Sequence, residues 1–323
     1  MKINFASQNF KGYDAAPIKT IRINESILCE FKEELDEIAK QENFEIKSKR
    51  DGVKWVQDHK TVIEHNGAPA LLLSKKALER IPDINKLEYP YKKCINFIAG
   101  GNSFIGKFPD GEKWMMAGSS DVDCRLKYFV GKDYGIKPEN IFIIPQQNFH
   151  LDMFLRPVEY PYVLVDSPKL TREKLLEIKS EKPGKESEDL YWNFARHERK
   201  RNLMYAEHKK VIDALKKNGF IPIEIAGVYS SGVNFMNALV NKHEDGSLSY
   251  ITNSSRCDDE LTSKLQEKFE QDLRAKVPNI DKVLFVSGNQ VNERSNFLMY
   301  QLGTYNGGLH CMASEEPDFE MWG

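Results

Sequence analysis

The chain reads as an α/β protein whose sheets are built from hairpins joined to helices. Two observations carry that reading. Short apolar runs of strand length alternate with longer amphipathic stretches along all 323 residues. Several neighbouring runs are separated by turn signals and not by helices: Phe104-Ile105-Gly106 is followed by Pro109-Asp110-Gly111 and then Trp114-Met115-Met116. Such hairpins argue against a doubly wound parallel sheet. The expected repeating unit is hairpin, helix, strand.

Taken in order, Ile18-Lys19-Thr20-Ile21-Arg22-Ile23 alternates as a strand should, and Glu25 to Glu42 places Ile27, Phe31, Leu35 and Ile38 at helical spacing. Further strands are expected at Ala70–Leu73, Cys94–Ile98, Lys113–Ala117, Ile141–Pro145, Tyr162–Asp166, Ile221–Ile225, Asn237–Asn241 and Val283–Val286. Helices are expected at Lys75–Ile81, Asp121–Val130, Thr171–Lys179, Leu190–Asn218 with a break, and Asp258–Ala275. No linker divides residues 1–323, which are expected to form one domain with an exposed insertion at 180–188. The basic run Arg196–Arg201 is diluted by Glu188, Asp189 and Glu207 and reads as a solvated helix face.

Composition narrows the function. The chain is 41% hydrophobic and 29% charged, ordinary globular usage, and its 46 basic and 48 acidic side chains leave a net charge of -2. No bulk field exists to draw nucleic acid or anionic lipid, so neither is an expected partner. No apolar stretch approaches a membrane span of ~20 residues, and the N-terminus turns polar before a secretory core could form. Five cysteines, Cys29, Cys94, Cys124, Cys257 and Cys311, lack paired metal-type spacing. Free thiols in a reducing, cytoplasmic setting are expected, unless a signal has been trimmed or the protein leaves by a route without one.

Three widely separated motifs carry chemistry. Trp55-Val56-Gln57-Asp58 comes early, His150-Leu151-Asp152-Met153-Phe154 lies mid-chain, and Asn306-Gly307-Gly308-Leu309-His310-Cys311-Met312 lies near the end. On an extended segment, residues i and i+2 share a side, so His150 and Asp152 would face one pocket, Leu151 and Met153 would turn into packing, and Phe154 would line the pocket wall. By the same logic His59 should face away from Asp58, and His310 away from Cys311. The other four cysteines are expected to be inert.

In this order the motifs resemble the pentein superfamily of guanidino-modifying enzymes. The Trp-x-Gln-Asp segment is most similar to that of the protein-arginine deiminase catalytic domain. The resemblance runs from about Ile18 to Met312 and implies an α/β propeller of about five hairpin-helix-strand modules. It assigns Cys311, His150, Asp152 and Asp58 to catalysis, with Trp55, Asp58, Asp152 and Phe154 binding substrate. Gly100-Gly101-Asn102 resembles a strand start common in the superfamily, and Asn234–Val240 another; turn glycines and capping asparagines explain both equally well.

The implied chemistry suits these residue types. A guanidinium is planar and cationic, so two carboxylates can fix its plane while a thiolate attacks its central carbon. His150 would protonate the departing nitrogen and later deprotonate water, giving ammonia and a ureido group through a thiouronium intermediate. No cofactor or metal is needed for these steps. Only Gln57 carries over from the calcium ligands of the vertebrate enzymes, so calcium independence is expected.

The expected substrate is peptidyl-arginine in a protein or peptide, with citrulline as product. Free arginine, agmatine, a methylated arginine, or amidino transfer to an amine are the alternatives. A cysteine protease or acyl transferase is the competing class, but two carboxylates beside its nucleophile would repel the developing oxyanion.

Overall fold

The computed structural model describes residues 16–49, 60–65, 68–79, 87–98, 100–146, 150–230, 232–254, 259–292, 295–305 and 308–322. Strand β1 (Ile18–Asn24) runs into helices α1 (Glu25–Leu28) and α2 (Lys32–Glu42) before β2 (Glu45–Lys49). A second group holds β3 (Lys60–His65), β4 (Ala68–Leu73), α3 (Lys75–Leu78) and β5 (Tyr91–Lys93). The third holds β6 (Ser103–Lys107), β7 (Lys113–Gly118), α4 (Lys127–Tyr134) and β8 (Ile141–Ile144). The fourth holds β9 (Leu155–Glu159), β10 (Tyr162–Asp166), α5 (Pro168–Glu181), α6 (Lys185–Lys217) and β11 (Ile221–Ile225).

A small ribbon, β12 (Val228–Ser230) with β13 (Val233–Asn234), precedes the fifth group. That group holds β14 (Leu239–Lys242), β15 (Leu248–Asn253), α7 (Asp259–Lys276) and β16 (Ile280–Val286). A second ribbon, β17 (Gln290–Asn292) with β18 (Ser295–Asn296), leads to α8 (Phe297–Tyr305), α9 (Leu309–Met312), β19 (Ala313–Pro317) and α10 (Phe319–Trp322). No helix among the described residues is long and apolar enough to cross a membrane.

One plan recurs. Among the described residues there are five three-stranded sheets, each with one antiparallel and one parallel pair. The antiparallel partners β3–β4, β6–β7, β9–β10 and β14–β15 are hairpins, and each parallel partner is reached through helix, as a crossover requires. The first sheet completes this plan from both ends of the chain. Its antiparallel partner is β19, which pairs with β1 from Ile23–Ala313 to Ile18–Pro317.

That closure positions the chemistry. In every sheet, the residues just before the first strand of the antiparallel pair belong to the motifs singled out above. Gly100–Asn102 leads into β6, His150–Asp152 into β9, Asn237 into β14 and Cys311 into β19, while Asp58 stands two residues before β3. Trp55, Gln57, Asp58, His59 and Cys257 lie outside the described residues.

The differences from the sequence expectation have local causes. The helix expected over Glu25–Glu42 breaks between Leu28 and Lys32, although Ile27, Phe31, Leu35 and Ile38 are all buried. The third strand of the β3-β4-β5 sheet is Tyr91–Lys93, not Cys94–Ile98: Cys94 turns instead toward Asp133 at the end of α4. The helix expected at Asp121–Val130 begins only at Lys127, because Asp123 accepts from the backbone of Arg125 and Leu126 and holds a turn there. Within residues 180–188, α5 ends at Glu181 and α6 begins at Lys185, so the break between them is residues 182–184, and most of the segment is exposed.

Packing in the third sheet is tight at Gly106, where a methyl group would sit 2.2 Å from Cζ2 of the fully buried Trp114 on the paired strand. Gly106→Ala is expected to destabilise the fold by about 1–3 kcal/mol through overpacking, read as a lower urea midpoint with an unchanged slope.

Candidate active site

Cys311 is set by a one-turn helix. Leu309 and Met312, three residues apart, fall on the same side of α9 and are completely buried in the apolar cluster with Leu239, Ile251 and Leu298. Burying that pair turns His310 and Cys311 toward the polar interior. Gly308 allows the approach: a Cβ there would lie 2.7 Å from Oδ1 of both Asn237 and Asn253.

The mid-chain motif uses the same device. Residues Leu151–Met153 form a 3₁₀ turn, with His150 extended at its N-cap (φ -130°, ψ 159°). Leu151 and Phe154, again three apart, are buried in the cluster with Leu155 and Val165, which leaves Asp152 facing the site. The strand reading of this motif is therefore corrected: the strand begins only at Leu155. Two consequences follow. Phe154 is a core residue instead of a pocket wall, and Met153, expected to turn away, brings its sulfur to 3.9 Å from Asn237 Nδ2.

The two segments meet at Asp152. Its Oδ2 accepts from Cys311 Sγ at 2.9 Å, Asn237 Nδ2 at 2.8 Å and His310 Nδ1 at 2.9 Å, whereas Oδ1 is buried with no partner among the described residues. Asn237 Nδ2 also lies 3.2 Å from Cys311 Sγ. His150 and Asp152 both face Gly101, where a methyl group would come within 2.6 Å of His150 Nδ1 and 2.8 Å of Asp152 Oδ2. His150, Asp152 and Cys311 each offer one donor atom, all within 4.8 Å of one another.

Thiol, imidazole and carboxylate could together suit a zinc ion. The fit is poor on one count: Asn237 aims an N–H donor at both the sulfur and Oδ2, where a cation bound to those atoms would need to sit. That donor instead favours anionic character on the pair.

His310 is the clearest departure from expectation. The helical turn of α9 brings it onto Asp152, where an extended segment would have turned it away. Its ring stacks at 5.5 Å from Phe104 and borders a half-open cavity of about 50 Å³ lined also by Gly100, Ser103, Ser314 and Glu315. Glu315 is a carboxylate that the motifs did not mark. It accepts from the buried Arg156 at 3.1 Å, whose guanidinium lies over Phe104.

Asparagines hold the arrangement. Asn253 accepts from Leu309 N and donates to the carbonyls of Asn234 and Asn237; Asn234 donates to Met153 O; Asn237 Oδ1 accepts from His310 N. For Asn234 and Asn237 the sequence signal was present but ambiguous: each interrupts an apolar run, as in Phe235-Met236-Asn237-Ala238-Leu239. Asn102, also fully buried, accepts from Gln146 Nε2 and donates to Ser120 Oγ.

Burial pushes the Cys311 thiol well above its ordinary range, and the negative charge and hydrogen bond of Asp152 push it the same way; Asn237 opposes them. At neutral pH the sulfur is therefore a protonated donor to Asp152. Cys94 is also pushed up, to about 12, by burial and then Asp133, which suits an inert thiol. The four described cysteines are all free.

No family model matches this sequence, and no curated protein sequence does. Solved structures do match. The agmatine deiminase of C. jejuni superposes with a TM-score of 0.55 at 15% identity, covering 98% of this chain and 99% of that one. The agmatine deiminase of Enterococcus faecalis gives 0.56 at 10% identity, over 95% and 96%. A provisionally named peptidyl-arginine deiminase gives 0.56 at 14% identity, over 97% and 100%. The chain thus has the mixed α/β fold of these structures, matched over nearly the full length of each.

Two outcomes are expected in timed iodoacetamide labelling resolved by peptide mapping. The exposed Cys29 and Cys124 label before the buried Cys311, whose rate climbs with pH beyond the ordinary thiol range. Asp152→Asn removes the charge that disfavours the thiolate, and Cys311 labelling at pH 8 rises roughly tenfold.

Proposed function

We propose that this chain is a deiminase that hydrolyses a guanidino group, with Cys311 as nucleophile. The single observation that carries the proposal is the convergence of Cys311, His150 and Asp152, whose donor atoms lie within 4.8 Å of one another, at a buried carboxylate that keeps one oxygen, Oδ1, without a partner among the described residues. An anionic acceptor beside a resting thiol suits a flat cation. The proposal takes the five sheets as blades of one pentein propeller spanning residues 1–323. It also takes Asp58 and Trp55 to complete the pocket, Asp58 as a second carboxylate for the fork and Trp55 against the aliphatic stem.

In the proposed cycle the guanidinium donates to Asp152 and Asp58. Its positive charge offsets the field of Asp152 and favours the thiolate, whose proton passes to His150, so binding itself activates the sulfur. Sγ bonds to the guanidino carbon, the carbon–nitrogen bond breaks, and His150 protonates the leaving nitrogen, which departs as ammonia. Water then adds to the thiouronium carbon with neutral His150 taking its proton. The carbon–sulfur bond breaks and leaves a ureido product and the thiol.

The substrate class we favour is a small guanidino compound such as agmatine or free arginine. Two named agmatine deiminases share this fold over almost the full length of both chains, which makes agmatine the first compound to test. Peptidyl-arginine is the second reading and rests on Trp55-Val56-Gln57-Asp58. Purified protein incubated with agmatine, arginine, methylated arginine and arginine peptides should release ammonia and a ureido product from at least one, without an amine acceptor. Product formed only when an amine is supplied would mean amidino transfer. Cys311→Ser and Asp58→Ala should each abolish turnover, at least about a thousandfold for the nucleophile; full guanidino turnover by Asp58→Ala would remove Asp58 from the proposed pocket.

A further inference from the structure

We propose that His310 is a positioning residue for Asp152: its Nδ1–H holds Oδ2 in place, so that Oδ1 remains available to the guanidinium and Cys311 shares Oδ2. This rests on the guanidino reading of the site for its catalytic consequence, but not for its structural one. Asp152 is fully buried, and one of its oxygens carries three donors from three side chains while the other carries none. A carboxylate rotates easily about its terminal torsion, so such asymmetry needs fixed donors.

His310 is the best fixed of the three. Its backbone N–H donates to Asn237 Oδ1 at 2.9 Å, its ring is stacked by Phe104, and its neighbours Leu309 and Met312 are locked in the core. Nδ1 must be the donor, because an ionised carboxylate has only acceptor capacity. Nε2 has no partner among the described residues, and the ring borders the half-open cavity. The donor's place on the ring is therefore what matters, and side-chain chemistry offers a test of place: the amide nitrogen of asparagine can occupy the position of Nδ1, that of glutamine the position of Nε2.

The experiment compares His310→Asn, His310→Gln and His310→Phe with the parent protein. Thermal melting checks that each is folded. Two readouts follow: the Cys311 labelling rate at pH 8, resolved by peptide mapping, and kcat and KM on whichever guanidino compound is turned over. Without a donor at the Nδ1 position, the charge on Oδ2 is shared less and the thiol is held more tightly as the protonated form. His310→Phe and His310→Gln should then label Cys311 roughly tenfold more slowly than the parent, with kcat/KM reduced by a similar or larger factor, while His310→Asn stays within roughly threefold. Should the Phe variant fail to fold, the Asn and Gln pair carries the comparison.

Equal Cys311 labelling in all variants and the parent, including no labelling in any, overturns the proposal, as does a loss in Asn equal to that in Gln. Absence of guanidino turnover in the parent overturns the proposed function alone, because the labelling comparison still reports on His310. Normal turnover in Gln and Phe overturns the positioning role and leaves the proposed function standing.

Discussion

The site depends on buried amides. Asn234, Asn237 and Asn253 are almost completely shielded from water, and their side chains connect the 3₁₀ turn of Asp152, the approach to β14 and the helical turn of Cys311. Leaving a buried amide unsatisfied costs about 1–3 kcal/mol per group, so each asparagine is strongly held in the one geometry that satisfies it. Segments separated by 74 residues between Asn237 and Cys311, and 159 between Asp152 and Cys311, are thereby tied to one another by directional bonds. Apolar packing cannot do this alone, because it lacks direction.

Apolar packing does the coarser work. The two reactive segments solve the same problem in the same way: an apolar pair three residues apart, Leu151 with Phe154 and Leu309 with Met312, is buried, and the polar residues between are turned the other way. A one-turn helix is the shortest element that can do so. Directly after each turn a strand begins, β9 or β19, whose ladder then sets the turn's height against the neighbouring segments.

These devices explain how much was legible. The α/β class, most strands and the long helices follow from periodicity, and Cys311, His150 and Asp152 stand out by residue type. What failed was the shape of the short segments. His-Leu-Asp-Met-Phe alternates well enough to read as a strand, yet its Leu–Phe pair at i and i+3 is equally a helical-turn signal, and only the hydrophobic cluster around them decides between the two. Leu-His-Cys-Met carries the same ambiguity, which is why His310 was expected to face away. Asn253 was invisible for another reason: its partners are backbone groups of segments 16 to 56 residues distant, and an amide among the polar residues that end a strand has no local signature. Pairings such as β1 with β19 are likewise beyond local pattern, because they join opposite ends of the chain.

The resting charge state bears on which substrates the site can serve. Cys311 is buried and donates to a carboxylate, two influences that hold it as a poor nucleophile in the absence of ligand. A neutral carbonyl beside this thiol would leave both in force, and its developing oxyanion would meet the negative charge of Asp152. A cation reverses the second influence directly. It draws on Asp152 through Oδ1, weakens that oxygen pair's hold on the thiol proton, and has its own electrophilic carbon beside the sulfur. On the proposed reading, the same carboxylate that suppresses the free thiol would, once a guanidinium is seated, orient the attack, so that selectivity and activation would share one set of atoms.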